Sequence, residues 1–324
     1  TVDDDVDEDF MPAEIIFDGK MNKFKTSDGD LVPLNDPNVE IIVPSMGDLS
    51  AKLFAAGLRS AGFNAIAAEP GSAEIIKYGR AHATGKECLP LLLIVGSMID
   101  YIKNKWDGKK YAAFFVIQGA GNCRVGQYPV FMRDLVRRQK IRNFTPLALS
   151  NEDAFAGMGP KFDIRAVQSI LAADVLEDVR SAIYANAVDP VEGEKIFDEE
   201  FEKLEKVLES DPDKLYNALK KFAKVIKQKV PARVKIEDSK FISIVGEIYV
   251  RREHYSHKWL NKRFAEHGFV VKDAHITEWL FYVDYLIDIG LLEPEEDKKK
   301  NKDRLIRKAY MRYAEHRIKK ILAK

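Results

Sequence analysis

Two hydrophobic patterns alternate along the chain. Short apolar runs at residues 39–43 (VEIIV), 63–68 (FNAIAA), 112–117 (AAFFVI) and 144–149 (FTPLAL) are bounded by Pro, Gly, Asn or Ser. Between them lie longer stretches in which apolar residues return every three or four positions. The runs fit buried strands and the periodic stretches fit amphipathic helices. Helices are predicted over 49–61, where Leu53, Ala56 and Leu58 share a face and Gly62 is the stop, and over 72–82, 90–103 and 130–140. Strand-helix-strand order with short connections implies a parallel sheet.

The texture turns helical from 157 to about 231. Segments 164–186 and 198–229 carry a stripe of Leu204, Leu208, Leu215, Leu219 and Phe222, broken at Asp211-Pro212. A strand pattern resumes at 241–245. It is followed by Gly246, a helix through Trp259, Leu260 and Phe264 to Gly268, another strand at 269–271, and a helical segment over 276–292. The expected architecture is α/β: two lobes with parallel sheets, a helical insert between them and a C-terminal helix. The boundaries read as an acidic extension or linker (1–37), a first lobe holding both cysteines (38–156), the insert (157–235), a second lobe (236–296) and a basic tail helix (297–324).

Composition narrows the function. A chain of 324 residues exceeds one ordinary core, so two domains are expected. Lys plus Arg and Asp plus Glu balance at 51 each, which argues against nucleic acid as a partner. The basic tail, with Ile306, Tyr310, Tyr313 and Ile321 on one face, reads as a helix docking on a partner or on the rest of the chain. No run approaches the roughly 18 apolar residues of a membrane helix, and no signal-peptide pattern opens the chain. Two cysteines in a chain of this size point to a reducing, cytoplasmic setting. A start at Thr1 rather than Met is the expectation for a processed product or a piece of a longer polypeptide.

The chemistry centres on those cysteines. Cys123 follows the 112–117 run and the turn Gly119-Ala120-Gly121, at the carboxyl end of a strand, where open α/β sheets keep their ligands. Cys88 precedes a helix with Pro90 in its first turn, and a helix N-terminus stabilises a thiolate. Free thiols are most often small buried hydrophobes; position instead favours iron–sulfur or other metal ligation. Two cysteines leave a four-ligand site short, so a partner chain, a missing region or an open iron is required. A zinc site with His82 matches no zinc spacing, and a disulfide requires the two loops to converge. The turn lacks the G-x-G-x-x-G spacing of a nucleotide loop. Glu247 and Arg251 stand after the 241–245 strand, as a surface ion pair or facing a ligand, while histidines 254, 257, 267 and 275 read as surface or cap residues.

Four segments occur in a telling order: Lys86-Glu87-Cys88-Leu89-Pro90-Leu91, Gly121-Asn122-Cys123-Arg124-Val125-Gly126-Gln127-Tyr128, Val245-Gly246-Glu247-Ile248-Tyr249-Val250-Arg251, and Glu278-Trp279. Over residues 38–285 the chain resembles the 2-hydroxyacyl-CoA dehydratase family (the 2-hydroxyglutaryl-CoA dehydratase D-component type). The form it resembles most is the one fused in CoA-substrate-specific enzyme activases, here without the ATPase domain. The resemblance implies two flavodoxin-like (Rossmann-like) lobes and a 4Fe-4S cluster between them. That cluster takes one electron from an ATP-driven activator and passes it to an acyl-CoA thioester, whose ketyl radical loses water. Cys88 and Cys123 match the family's cluster-ligand positions, though the dehydratase subunits use three cysteines. Glu87, Asn122, Arg124, Gln127, Tyr128, Glu247, Arg251 and Glu278 are the implied surroundings of cluster or substrate. Expected partners are the activator, a homologous subunit or second copy completing the site, and acyl-CoA. The alternative is a cluster-free ligand-binding or scaffold subunit.

Overall fold

The computed structural model describes residues 10–119, 123–150, 157–158, 160–291 and 298–322. The fold is α/β with parallel sheets and a C-terminal helix. Contacts divide the chain into two compact units, one of Thr1–Pro44 with Gly62–Asp163 and one of Ser45–Ala61 with Ile164–Lys324.

The first unit is built on a four-stranded parallel sheet of β4 (Val39–Val43), β5 (Asn64–Ala67), β6 (Tyr111–Gln118) and β7 (Phe144–Ser150), in the order β5-β4-β6-β7. Ala112 through Val116 of β6 are all buried, which is why this strand reads as an unbroken apolar run rather than an alternation. Residues 14–33, expected within an extension in which Ile15-Ile16-Phe17 suggests a strand, form an antiparallel sheet of β1 (Glu14–Phe17), β2 (Asn22–Lys25) and β3 (Leu31–Pro33). It is tied to the body of the unit by Phe24, which is fully buried and stacks on Tyr111 with ring centroids 5.4 Å apart. The Ser27 N–H donates to Asn143 Oδ1 and the Asn143 N–H to Ser27 Oγ, at 3.0 and 2.9 Å.

Helices α2 (Ala73–Ala81), α3 (Leu89–Asn104) and α4 (Tyr128–Arg138) complete this unit, α1 (Asp48–Ser60) belonging to the other. The backbones of α2 and α3 touch. A Cβ on Gly79 would stand 1.8 Å from the Leu92 carbonyl oxygen, and one on Gly96 would stand 1.9 Å from that of Ile75. Only glycine permits this approach, and it fixes where α3 begins.

The second unit gathers α1 with α5 (Pro160–Asn186), α6 (Pro190–Ser210), α7 (Leu215–Lys229) and α11 (Lys298–Leu322) around one core. The stripe Leu204, Leu208, Leu215, Leu219 and Phe222 is buried there, and the tail helix contributes Met311 and Ile318. Strands β8 (Lys240–Ile244) and β9 (Phe269–Asp273) form a two-stranded parallel sheet in which Phe241 of β8 is exposed. The helix expected through Trp259 begins one residue later. Helix α8 (Ile248–Arg252) ends early, Lys258 and Trp259 are left-handed at φ 57° and 53°, and α9 (Leu260–Ala265) follows. Nothing in the apolar spacing signals those two positive φ angles, which non-glycine residues seldom adopt. Helix α10 (Ile276–Asp288) closes the lobe. No described helix is long and apolar enough to cross a membrane.

Candidate functional site

The sheet of the first unit delivers β6 to Gln118 and the chain to Cys123, which is exposed and precedes a 3-10 turn at Arg124–Gln127 leading into α4. That turn lies close against the end of β6, for a Cβ on Gly126 would come within 2.7 Å of the Gly119 carbonyl oxygen. Cys88, partly exposed, is the N-cap residue of α3, and its side chain makes no capping bond.

Two contacts bring the cysteine loops together. Arg124 Nη1 donates to the Lys86 carbonyl at 2.9 Å, and the buried Tyr128 hydroxyl lies 2.7 Å from Cys88 Sγ. Glu87 shapes the loop from within. Its carboxylate accepts the N–H groups of Thr84, Gly85 and Lys86 and the Thr84 hydroxyl, all at 2.9 to 3.0 Å. The Thr84 N–H chiefly holds the Glu87 pKa at about 2, against an ordinary 4.5. Its lone pairs are therefore committed to the loop that presents Cys88. Gln127 is exposed beside Cys123, and Asn122 lies outside the described residues. His82, four residues before Lys86, faces Gln139 through Nδ1 at 3.2 Å, and burial followed by the charges of Lys103 and Arg138 pushes its pKa down.

In the second unit the remaining sequence candidates have local duties. Glu247 caps α8 by accepting the Val250 N–H at 2.8 Å. Arg251 donates to the carbonyls of Ala274, Gly246 and His275 at 2.8, 2.7 and 3.0 Å, clamping the segments that follow β8 and β9. Glu278 is exposed in the first turn of α10.

The sequence reading missed a buried charge network in this unit. Arg180 of α5 donates to both carboxylate oxygens of Asp48, at 2.9 and 2.7 Å, and to Glu177 at 2.7 Å. Glu177 in turn meets His254 Nε2 at 2.9 Å. Asp174 accepts the Ile276 and Thr277 N–H groups and the Thr277 hydroxyl, and lies 3.4 Å from Arg252. Glu253 accepts the Ser45 hydroxyl at 2.6 Å. Burial pushes the Glu177 carboxyl up, but the charges of Arg180 and then His254 outweigh it and hold it well below the carboxylate range. His254 moves the opposite way, its pKa raised by Glu177 against the effect of burial.

Histidines 254, 257 and 275 are thus built inward, while His267 is exposed. His275 Nε2 lies 2.9 Å from Asp178, and one donor atom each of His254, His257 and Asp273 fall within 4.8 Å of one another. Two signals were present in the sequence. Asp174, Glu177 and Arg180 recur at helical spacing along α5, and His254 and His257 stand three apart. Comparison of the chain with protein-family models, with curated proteins and with solved structures finds no significant match.

Proposed function

We propose that this chain is an iron–sulfur redox component related to the 2-hydroxyacyl-CoA dehydratases. It takes low-potential electrons from an ATP-hydrolysing activator and passes them to an acyl-CoA thioester or another metallocentre, in a reducing, cytoplasmic setting. The observation that carries the reading is that the chain's two cysteines stand on loops joined by the Arg124–Lys86 bond and the Tyr128–Cys88 contact.

The donor set fits such a cluster in kind and by half in number. Both sulfurs are soft ligands placed just ahead of helical turns. A homologous subunit or a second copy of the chain supplies the other ligands. The cluster, when bound, supplies one-electron transfer. The chain's own residues do the rest. Cys88 and Cys123 bind iron, the Tyr128 hydroxyl donates to the Cys88 sulfur, and Glu87 and Arg124 hold the loops in register. Hydrogen bonds to ligating sulfur are among the levers that set a cluster's potential.

Anaerobic purification with iron and sulfide analysis, followed by EPR of the reduced protein, tests this. Bound iron and labile sulfide are expected, with an EPR signal, and Cys123→Ser is expected to lose most of the iron. A colourless, iron-free protein whose Cys123→Ser variant behaves as the parent does overturns the reading. That result leaves the cluster-free ligand-binding or scaffold module.

A further inference from the structure

The second unit holds a group of side chains that the cysteine chemistry does not use. His254, His257 and Asp273 bring one donor atom each within 4.8 Å of one another. Buried carboxylates and histidines are ordinarily satisfied by partners. Here Asp273 is 2% exposed and its Oδ1 has no hydrogen-bond partner among the described residues, and His257 is 9% exposed with Nε2 in the same condition. Asn261 Oδ1, on the side chain that steadies Asp273, is a third such atom. Three unpartnered atoms on neighbouring buried groups point to something held between them.

The surroundings resemble the outer layer of a metal site. A metal-bound histidine usually gives its other ring N–H to a carboxylate, and a metal-bound carboxylate is itself hydrogen-bonded. His254 Nε2 is engaged by Glu177 at 2.9 Å, which leaves Nδ1 to bind. Asn261 Nδ2 donates to Asp273 Oδ2 at 2.7 Å, which leaves Oδ1. Charge agrees with geometry. The carboxylates of Asp48, Asp174, Glu177, Glu253 and Asp273 outnumber the guanidiniums of Arg180 and Arg252 five to two. A divalent cation on neutral histidines offsets part of that excess.

We infer that His254, His257 and Asp273 form a binding site for one divalent transition ion of the zinc class, with Asn261 Oδ1 or a water as the fourth donor. Two imidazoles and one carboxylate are the ligand types such ions take. Binding through His257 Nε2 places the ring proton on Nδ1, which now accepts the Leu260 N–H at 3.2 Å. That long contact opens at the first residue of α9 when the ion binds.

The test uses the full chain carrying Cys88→Ser and Cys123→Ser, so that neither thiol competes and the outcome is independent of the iron–sulfur reading. After chelator treatment, titration with Zn2+ by calorimetry is expected to show one equivalent bound. Co2+ is expected to give visible absorption bands without a sulfur charge-transfer band. Asp273→Asn and His257→Gln each weaken Zn2+ binding by at least about tenfold, and His267→Gln, on the surface, leaves it unchanged. Unaltered affinity in Asp273→Asn, or no binding by the parent, overturns the site. Should Asp273→Asn not fold, the parent decides alone: excess Zn2+ raises its melting temperature, or the site is refuted.

Discussion

In the first unit the chemistry-bearing side chains stand at the surface: Cys123 is exposed, Cys88 partly so, and Arg124 and Gln127 lie in solvent beside them. In the second unit Asp174, Glu177, Arg180, Arg252 and Asp273 are each at most 5% exposed, and they pair with one another (Glu177 with Arg180, Asp174 with Arg252) or with Asp48, His254, Asn261 and Thr277. The cysteine loops are shaped largely by the main chain, through the Lys86 carbonyl that accepts from Arg124, N–H groups that bind Glu87, and glycines where backbones touch. Changing a sulfur there leaves the scaffold intact. The inner network has no such independence, because each charge is the solvent of the next. A buried pair is weak evidence of net stability, yet removing one partner strands the other.

That contrast is tested hardest at Arg180. Arg180→Ala leaves Glu177 and Asp48 facing each other without their shared cation, and a loss of about 3–5 kcal/mol is expected. Chemical denaturation monitored by circular dichroism reads it. Cys123→Ser in the same assay, with both proteins first freed of iron, is expected to change stability by less than about 0.5 kcal/mol, as an exposed substitution does. Equal losses in the two variants would break the comparison.

Gly96 sharpens it from the other side, since the first unit has its own intolerant point. The Cβ of Gly96→Ala meets the Ile75 carbonyl oxygen at 1.9 Å, and both atoms belong to helix backbones that cannot rotate away. Overpacking of this kind costs about 1–3 kcal/mol. The shift also moves the start of α3, so the variant is expected to lose iron along with stability under anaerobic purification. A variant as stable as the parent would mean that α2 and α3 part without strain.

What the sequence made legible follows the same division. The strands at 39–43, 112–117 and 144–149 and the cysteines' place ahead of helical turns came from local patterns, which survive whatever the chain packs against. The inward turn of His254, His257 and His275 did not, because polar residues in a loop carry no periodicity. His254 and His275 find their partners, Glu177 and Asp178, on α5, some seventy to a hundred residues earlier in the chain. Likewise 14–33 read as an extension because the contacts that fix it, Phe24 on Tyr111 and Ser27 with Asn143, are long-range. Glu247 and Arg251 were placed correctly after a strand, but a caps-and-carbonyls role is indistinguishable in sequence from a ligand-facing one.

The smallest expected effect bears on the cysteine edge itself. Tyr128 is 4% exposed, and its hydroxyl reaches Cys88 Sγ at 2.7 Å from the first turn of α4. Tyr128→Phe keeps the ring and its packing and removes only the hydroxyl. A protein hydrogen bond contributes about 0.5–1.5 kcal/mol net, and the low end is expected because Cys88 is partly exposed and can bond to water instead. The loops stay joined by Arg124, whose bond to Lys86 the substitution does not touch. The variant should therefore fold with nearly the parent's melting temperature and retain iron. If the hydroxyl donates to the Cys88 sulfur, its removal lowers the midpoint of the bound cluster, since a donor to ligating sulfur favours the more negative, reduced form. EPR-monitored redox titration reads that shift. An unchanged midpoint with iron retained would place the hydroxyl in packing alone, and would leave Arg124 and Glu87 as the residues that define the edge.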